Sequence, residues 1–196
     1  MKKIIAVLSL LAIIISLAGC GKTPKEEPLM LEDAEAVKIL EKLIPLSEKI
    51  NDIFYGKGLE YEDTGEENVI YMPVKKDSPY QTADEIKKEA EKVYSKAYLS
   101  GVYTMMFDGV KSENNDGVTD FSADPRYKEI GGKLYVNITY EPFKLETKCL
   151  PETAKVTERT ADHVTVLLEC TGRNIGEIEL DLVLDGGEWR LDTPTY

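Results

Sequence analysis

Ile178, Leu180, Leu182 and Leu184 occupy alternate positions, interleaved with Glu177, Glu179, Asp181 and Val183 and followed by Asp185. A repeat of two places the apolar set on one face of a β-strand and the carboxylates on the other. On a helix the same residues would scatter around the axis, so this stretch demands a sheet with one buried and one wet face. An antiparallel sheet tolerates that arrangement. The same period governs the chain from Tyr127 onward. Tyr127–Ile130 and Lys133–Tyr140 flank Gly131-Gly132, a hairpin signal, with Leu134, Val136, Ile138 and Tyr140 on one face. Phe143–Cys149 alternates and is closed by Pro151. Ala154–Arg159 and Val164–Cys170 flank a turn at Thr160–His163, and Asp185-Gly186-Gly187 leads into a last strand that turns Trp189 and Leu191 inward.

The first half has a different period. Leu31, Ala34, Val37, Leu40, Leu43, Ile44, Ile50 and Phe54 recur at threes and fours, which predicts a helix over 29–54, kinked or split at Pro45 and ended by Gly56 and Gly58. Val69–Val74 reads as a short strand, placed at an edge by Pro73. Thr82-Ala83-Asp84-Glu85 is a capping box ahead of a helix. Ser95 caps a second helix that Asp108-Gly109 stops. Lys111–Arg126 reads as a polar, turn-rich crossing loop. Helices first and strands later define an α+β class: N-terminal helices packed on a mostly antiparallel, meander-like curved sheet.

The extreme N-terminus is set apart from this domain. Met1-Lys2-Lys3 is basic, Ile4–Leu17 is apolar, and Leu17-Ala18-Gly19-Cys20 follows. This is the pattern of a cleaved export signal, too short to span a bilayer comfortably. Its last four residues resemble the processing site of bacterial lipoproteins, which implies a lipid on Cys20. Two acyl chains there would anchor stably. The expected organisation is a signal peptide over 1–19, a lipidated Cys20 and linker over 20–28, and one α+β domain over 29–196. Gly21–Pro28 reaches at most about 28 Å when extended, so the domain stays near the outer face of the membrane. The expected location is therefore the cell membrane, lipid-anchored, on the extracytoplasmic side.

The formal net charge of −12 becomes two units more negative once Lys2 and Lys3 leave with the signal. Such a balance argues against nucleic acid and against adhesion to anionic lipid, and it permits a basic protein partner. Acidic residues concentrate in two places: Glu60, Glu62, Asp63, Glu66 and Glu67 in a loop expected to be exposed and mobile, and Glu177, Glu179 and Asp181 on the wet face of a strand. Both are candidate partner-binding surfaces. Charge on an open sheet face also discourages edge-to-edge association.

No pattern of residues reads as an active site. His163, the only histidine, sits at an expected turn beside Asp162. As a base it would need a nucleophile and an orienting partner in reach. No nucleophile elbow, zinc motif, Cys-x-x-Cys pair or glycine-rich phosphate loop occurs. Ser112–Gly117 resembles half of a calcium loop. However, Ser112 and Ala123 stand where the first and last carboxylates are needed, so no metal or cofactor is expected. Export permits a disulfide between Cys149 and Cys170, while an anaerobic setting would leave them as buried thiols. Tyrosines outnumber phenylalanines eleven to four, and tyrosine serves both half-buried positions and binding surfaces.

The order of parts resembles a family. An N-terminal helix precedes a tyrosine-bearing strand (VIYMPV), then a capped helix pair (YQTADEIKKEAEKVYSKAYL), then YKEIGGKLYV, AKVTERTADHVTVLLEC and a closing DGGEWRLDTPTY. This layout, over 31–196, is similar to that of the secreted D,L-endopeptidase inhibitors of Gram-positive bacteria (IseA type) and related clostridial lipoproteins. The resemblance implies a non-enzymatic protein that binds and blocks cell-wall peptidoglycan hydrolases through an acidic surface. The closing Gly-Gly-x-Trp hairpin also resembles cystatin-like cones of the nuclear-transport-factor type. That implies an alternative: a small-ligand pocket lined by Tyr135, Tyr140 and Trp189.

Overall fold

The computed structural model describes residues 30–113, 119–172 and 176–196. The expected lipoprotein signal and Cys20 lie outside them. So does most of the calcium-like loop. The class is α+β. No helix among the described residues is long and apolar enough to cross a membrane.

Helix α1 (Asp33–Phe54) continues through Pro45, so of the expected kink or split the split does not occur. Pro45 removes one backbone donor and frees the carbonyl of Glu41. Glu41 and Pro45 are both exposed, so that carbonyl faces water and the helix continues. The buried stripe contains the expected Leu40, Leu43, Ile44, Ile50 and Phe54, and also two polar residues, Ser47 and Asn51. Helix α2 (Ala83–Ala90) starts at the predicted capping box, in which Thr82 Oγ1 accepts from Glu85 N and Glu85 Oε2 accepts from Thr82 N. Helix α3 (Lys96–Tyr103) is capped by Ser95, whose hydroxyl accepts from Tyr98 N. One π-helical turn, Thr104–Asp108, follows and ends at Gly109 with φ +81°.

Among the described residues the strands fall into three antiparallel sheets, the largest of them the expected meander. Strands β1 (Tyr71–Pro73), β4 (Tyr127–Ile130) and β5 (Lys133–Asn137) form an antiparallel sheet in the order β1-β5-β4. Pro73 is on its edge strand, as a residue lacking an N–H requires. Strands β2 (Val110–Glu113) and β3 (Thr119–Ala123) pair with each other, where the sequence reads as a loop. Polar turn-rich composition conceals a hairpin that has no clean alternation.

The largest sheet joins β6 (Lys148–Cys149), β7 (Lys155–Arg159), β8 (His163–Thr171), β9 (Gly176–Asp185) and β10 (Glu188–Leu191). Here the meander holds: β7-β8-β9-β10 are successive antiparallel neighbours. β6 pairs with the far end of β8 on the same side as β7. The two are therefore one strand line interrupted by a 3₁₀ turn at Pro151–Thr153. The expected strand over 143–149 shrinks to two residues. Residues 141–147 are irregular and mostly exposed, because that segment pairs with no neighbouring strand.

Each edge of this sheet is covered along part of its length. Leu191 exchanges backbone bonds with the α2–α3 joint, Leu191 N to Val93 O at 2.9 Å and Ser95 N to Leu191 O at 2.8 Å. At the other edge Asp33 Oδ1 accepts from Val156 N at 2.9 Å. Covered edges cannot template pairing with another chain. The inner face supplies Val164, Val166, Leu168, Leu180, Leu182 and Leu191, which join α1, α2 and α3 side chains in one buried cluster.

The end of α1 is finished by a residue pair from β4 and its approach. Arg126 is 2% exposed. Its Nη1 donates to Phe54 O at 3.0 Å and its Nη2 to Gly56 O at 2.7 Å. The Tyr127 hydroxyl donates to Ile53 O at 2.8 Å and accepts from Leu59 N at 3.1 Å. Helices leave their last carbonyls without internal partners, and cations are favoured at that end. That is where this buried guanidinium sits. Among the buried side-chain nitrogens and oxygens of the described residues, its Nε alone lacks a hydrogen-bond partner.

Candidate functional site

The acidic residues of β9 stand on the outer face of the large sheet. Register pairs Glu177 with Glu169, Glu179 with Leu167 and Asp181 with Thr165, and directly opposed residues share a face. The outer face therefore carries Glu169, Glu177, Glu179 and Asp181, together with the half-buried Leu167 and Val183. Glu169 and Glu177 are like charges placed directly across from one another, a destabilising arrangement. Among the described residues no cation pairs with Glu169, Glu177 or Glu179. Asp181 differs: its Oδ1 accepts from Thr165 Oγ1 at 2.9 Å and lies 3.3 Å from His163 Nε2.

His163 opens β8 rather than occupying the turn. Thr165 is the hydroxyl residue beside it, and its proton is directed to Asp181. The carboxylate thus lies between imidazole and hydroxyl. A nucleophile needs the base at its own oxygen, so these three residues do not have the geometry of an activated hydroxyl. Among the described residues no three His, Cys, Asp or Glu side chains cluster as metal ligands.

The Glu60–Glu67 loop is exposed throughout, as expected, but its first part is paired. Lys75 N donates to Glu60 O at 3.0 Å, Glu62 N donates to Pro73 O at 2.8 Å, and Tyr61 bridges Val74. Lys75 Nζ meets Glu60 Oε2 at 2.6 Å. That hydrogen bond and charge hold the Glu60 carboxyl below its usual range. Asp63 turns inward on its own loop, accepting from Gly65 N at 2.9 Å. Glu62, Glu66 and Glu67 complete the acidic loop. It borders β1, whereas Glu177, Glu179 and Asp181 belong to the other sheet. No hydrogen bond or ion pair joins the two groups among the described residues, so they are two surfaces.

The three candidate pocket residues are also dispersed. Tyr135 sits on β5 across from Lys128 and Pro73. Tyr140 lies over the Arg126 guanidinium, 4.4 Å from ring centre to Cζ. Trp189 is on β10 across from Leu184 and packs on the core. The surface grooves have other linings. One, of about 210 Å³, is formed by α1 residues Glu48, Asn51 and Asp52, by Thr147 and Lys148 of the irregular segment and β6, and by Tyr196.

That groove sits above a feature with no apolar or charge signature in the sequence. Tyr196 packs against Tyr55 with centroids 4.7 Å apart and the rings tilted by 38°, and Phe143 approaches it at 6.4 Å. Tyr94 stacks on Tyr98 at 4.7 Å. Burial, reinforced by Tyr196, raises the Tyr55 hydroxyl pKa, and burial does the same to Tyr98. Asn51, Ser47, Tyr94 and Thr195 form a hydrogen-bonded group beneath. The tyrosines of the sequence thus serve mainly to line the core rim. Polar residues on the buried stripe of α1, at positions 47 and 51, were the available signal.

No family model matches this chain, and no curated protein matches it.

Proposed function

We propose that the chain is a non-catalytic lipoprotein, held by a lipid on Cys20 at the extracytoplasmic face of the cell membrane. In this reading its acidic outer sheet face binds and blocks a basic surface of a cell-wall peptidoglycan hydrolase of the D,L-endopeptidase type. The observation that carries the reading is the Glu169–Glu177 pair. Two carboxylates face each other with no cation paired to them among the described residues, on a face that also offers half-buried Leu167 and Val183. A basic partner would relieve that repulsion and cover the apolar residues, and opposed potentials would speed encounter. The net charge, the export signal and the similarity of layout to the IseA-type inhibitors support the same reading. A lipid tether keeps the surface where wall hydrolases work.

The test is digestion of purified peptidoglycan by a purified D,L-endopeptidase, with and without the chain. Slower digestion is expected, weakening as salt rises. It should be lost in a Glu177→Lys, Glu179→Lys variant that keeps its thermal stability. Unchanged digestion at a large molar excess of the chain would sink the proposal.

A further inference from the structure

Cys149 and Cys170 are Cα partners across β6 and β8. Leu150 N donates to Glu169 O, the next couple along the ladder, at 2.9 Å. Hydrogen-bonded and non-hydrogen-bonded couples alternate, so the 149–170 couple is of the second kind, with Cα atoms about 4.5 Å apart. That falls inside the range of about 4.4–6.8 Å that a disulfide spans. The two sulfurs already lie 2.7 Å apart, closer than non-bonded sulfurs rest. Both residues are buried, at 8% and 3% exposure, and burial raises both thiol pKa values.

We propose that Cys149 and Cys170 form a disulfide in the exported protein, and that it staples the 141–148 segment to the sheet. β6 is only two residues long, and the segment before it pairs with no strand. Other contacts also hold this segment: Phe143 N donates to Tyr55 O at 2.7 Å, the Phe143 ring approaches Tyr196, and Glu146 passes directly over Gly172. There, at φ +93°, a Cβ would lie 1.7 Å from Glu146 O. Leu145, Thr147 and Lys148 form one wall of the groove on α1, so the staple also sets that wall.

The reaction is thiol–disulfide exchange with an external disulfide oxidant, either a small-molecule disulfide or a dithiol–disulfide exchange protein. One cysteine, as thiolate, attacks the oxidant's disulfide and releases one thiol. The second cysteine attacks the resulting mixed disulfide and releases the other. The chain loses two protons and two electrons; the oxidant disulfide becomes two thiols. Because both sulfurs are buried, exchange belongs to folding or to opening of β6, and the folded reduced chain should oxidise slowly.

The test takes the full chain, unfolded and reduced, and refolds it in excess oxidised glutathione. Free thiols are then blocked with N-ethylmaleimide under denaturing, non-reducing conditions and the peptides mapped by mass. A linked Cys149–Cys170 peptide, absent after a phosphine reductant, is expected. The linked chain should melt about 5–10 °C above the reduced one. Hydrogen exchange over 141–150 should rise on reduction while that of α1 stays unchanged. A Cys149→Ala, Cys170→Ala chain should melt like the reduced protein and show no response to reductant. Two maleimide-blocked cysteines after refolding would overturn the disulfide. Linked cysteines with unchanged exchange over 141–150 would overturn the staple.

Discussion

Nδ2 of Asn51 lies 3.0 Å from the hydroxyl oxygen of Thr195, joining α1 to a residue 144 positions later. The group around them has one consistent proton order. Ser47 Oγ donates to Ile44 O at 2.7 Å, so at the 2.8 Å contact between Ser47 and Thr195 it is Thr195 that donates. Asn51 then donates to Thr195, and the Tyr94 hydroxyl donates to Asn51 Oδ1 at 2.9 Å. All four residues are buried. Leaving buried polar groups without partners is costly, whereas a satisfied chain orders its neighbours.

Asn51→Ala removes the middle of that chain. It removes the acceptor of the Tyr94 hydroxyl, which keeps only its longer 3.3 Å contact with Thr195, and takes a donor from Thr195. Urea unfolding should show a loss of about 2–4 kcal/mol. A change within about 0.5 kcal/mol would mean that the chain does not hold the last residues on α1.

Arg126→Met should cost about 2–4 kcal/mol, because the carbonyls of Phe54 and Gly56 lose their donors while the volume is kept. Gly58→Ala should also destabilise, by about 1–2 kcal/mol. Its φ is +75° and a Cβ would fall 2.3 Å from Arg126 Nη2. The two effects share a site, so chemical denaturation of the double variant should show less than their sum. Strict additivity would argue against a shared origin.

Alkaline stability follows from the buried tyrosines, Tyr55 and Tyr98 among them, and Tyr94 supplies a share that can be tested. Burial pushes its hydroxyl from an ordinary value of 10.0 up to about 12. A raised folded pKa means the contribution is complete below the unfolded value and is lost as pH rises through the folded one. Thermal melting should therefore be flat up to about pH 10 and fall between about 10 and 12. Tyr94→Phe should lower stability at neutral pH and make this decline shallower; an unaltered decline would exclude Tyr94 as one of its sources.

Glu169→Gln with Glu177→Gln removes the opposed charges on the outer face. Stability should rise by about 0.5 kcal/mol, while inhibition of a wall hydrolase should weaken. Equilibrium unfolding and the digestion assay measure the two separately. Greater stability with undiminished inhibition would leave the face without a binding role.

Much of the local structure was legible. Thr82 and Glu85 announce α2, Ser95 announces α3, and Gly131-Gly132, with φ +58° and +77°, supplies the hairpin between β4 and β5. These are short-range effects: a side chain bonding a backbone three residues away, or a glycine in a conformation other residues avoid. The alternation in β8 and β9 likewise set which faces are buried. The β2–β3 hairpin was not legible, since its composition is that of a turn. Nor was the irregular path of 141–147, since alternation marks a strand only where a partner strand exists. For the acidic surfaces, alternation correctly put Glu177, Glu179 and Asp181 on one face. The pocket of Tyr135, Tyr140 and Trp189 rests on the cystatin-like resemblance, and Tyr135 and Trp189 belong to different sheets.

The sequence alone determined the α+β class, the helix starts, the glycine turns and the acidic face of β9, because each depends on residues within a few positions of one another. Only the tertiary structure decided that Arg126 ends α1, that Asn51 meets Thr195, and that Cys149 faces Cys170. Those contacts join distant positions and involve polar or small side chains that leave no periodic trace. Chain topology, rather than local preference, brings them together.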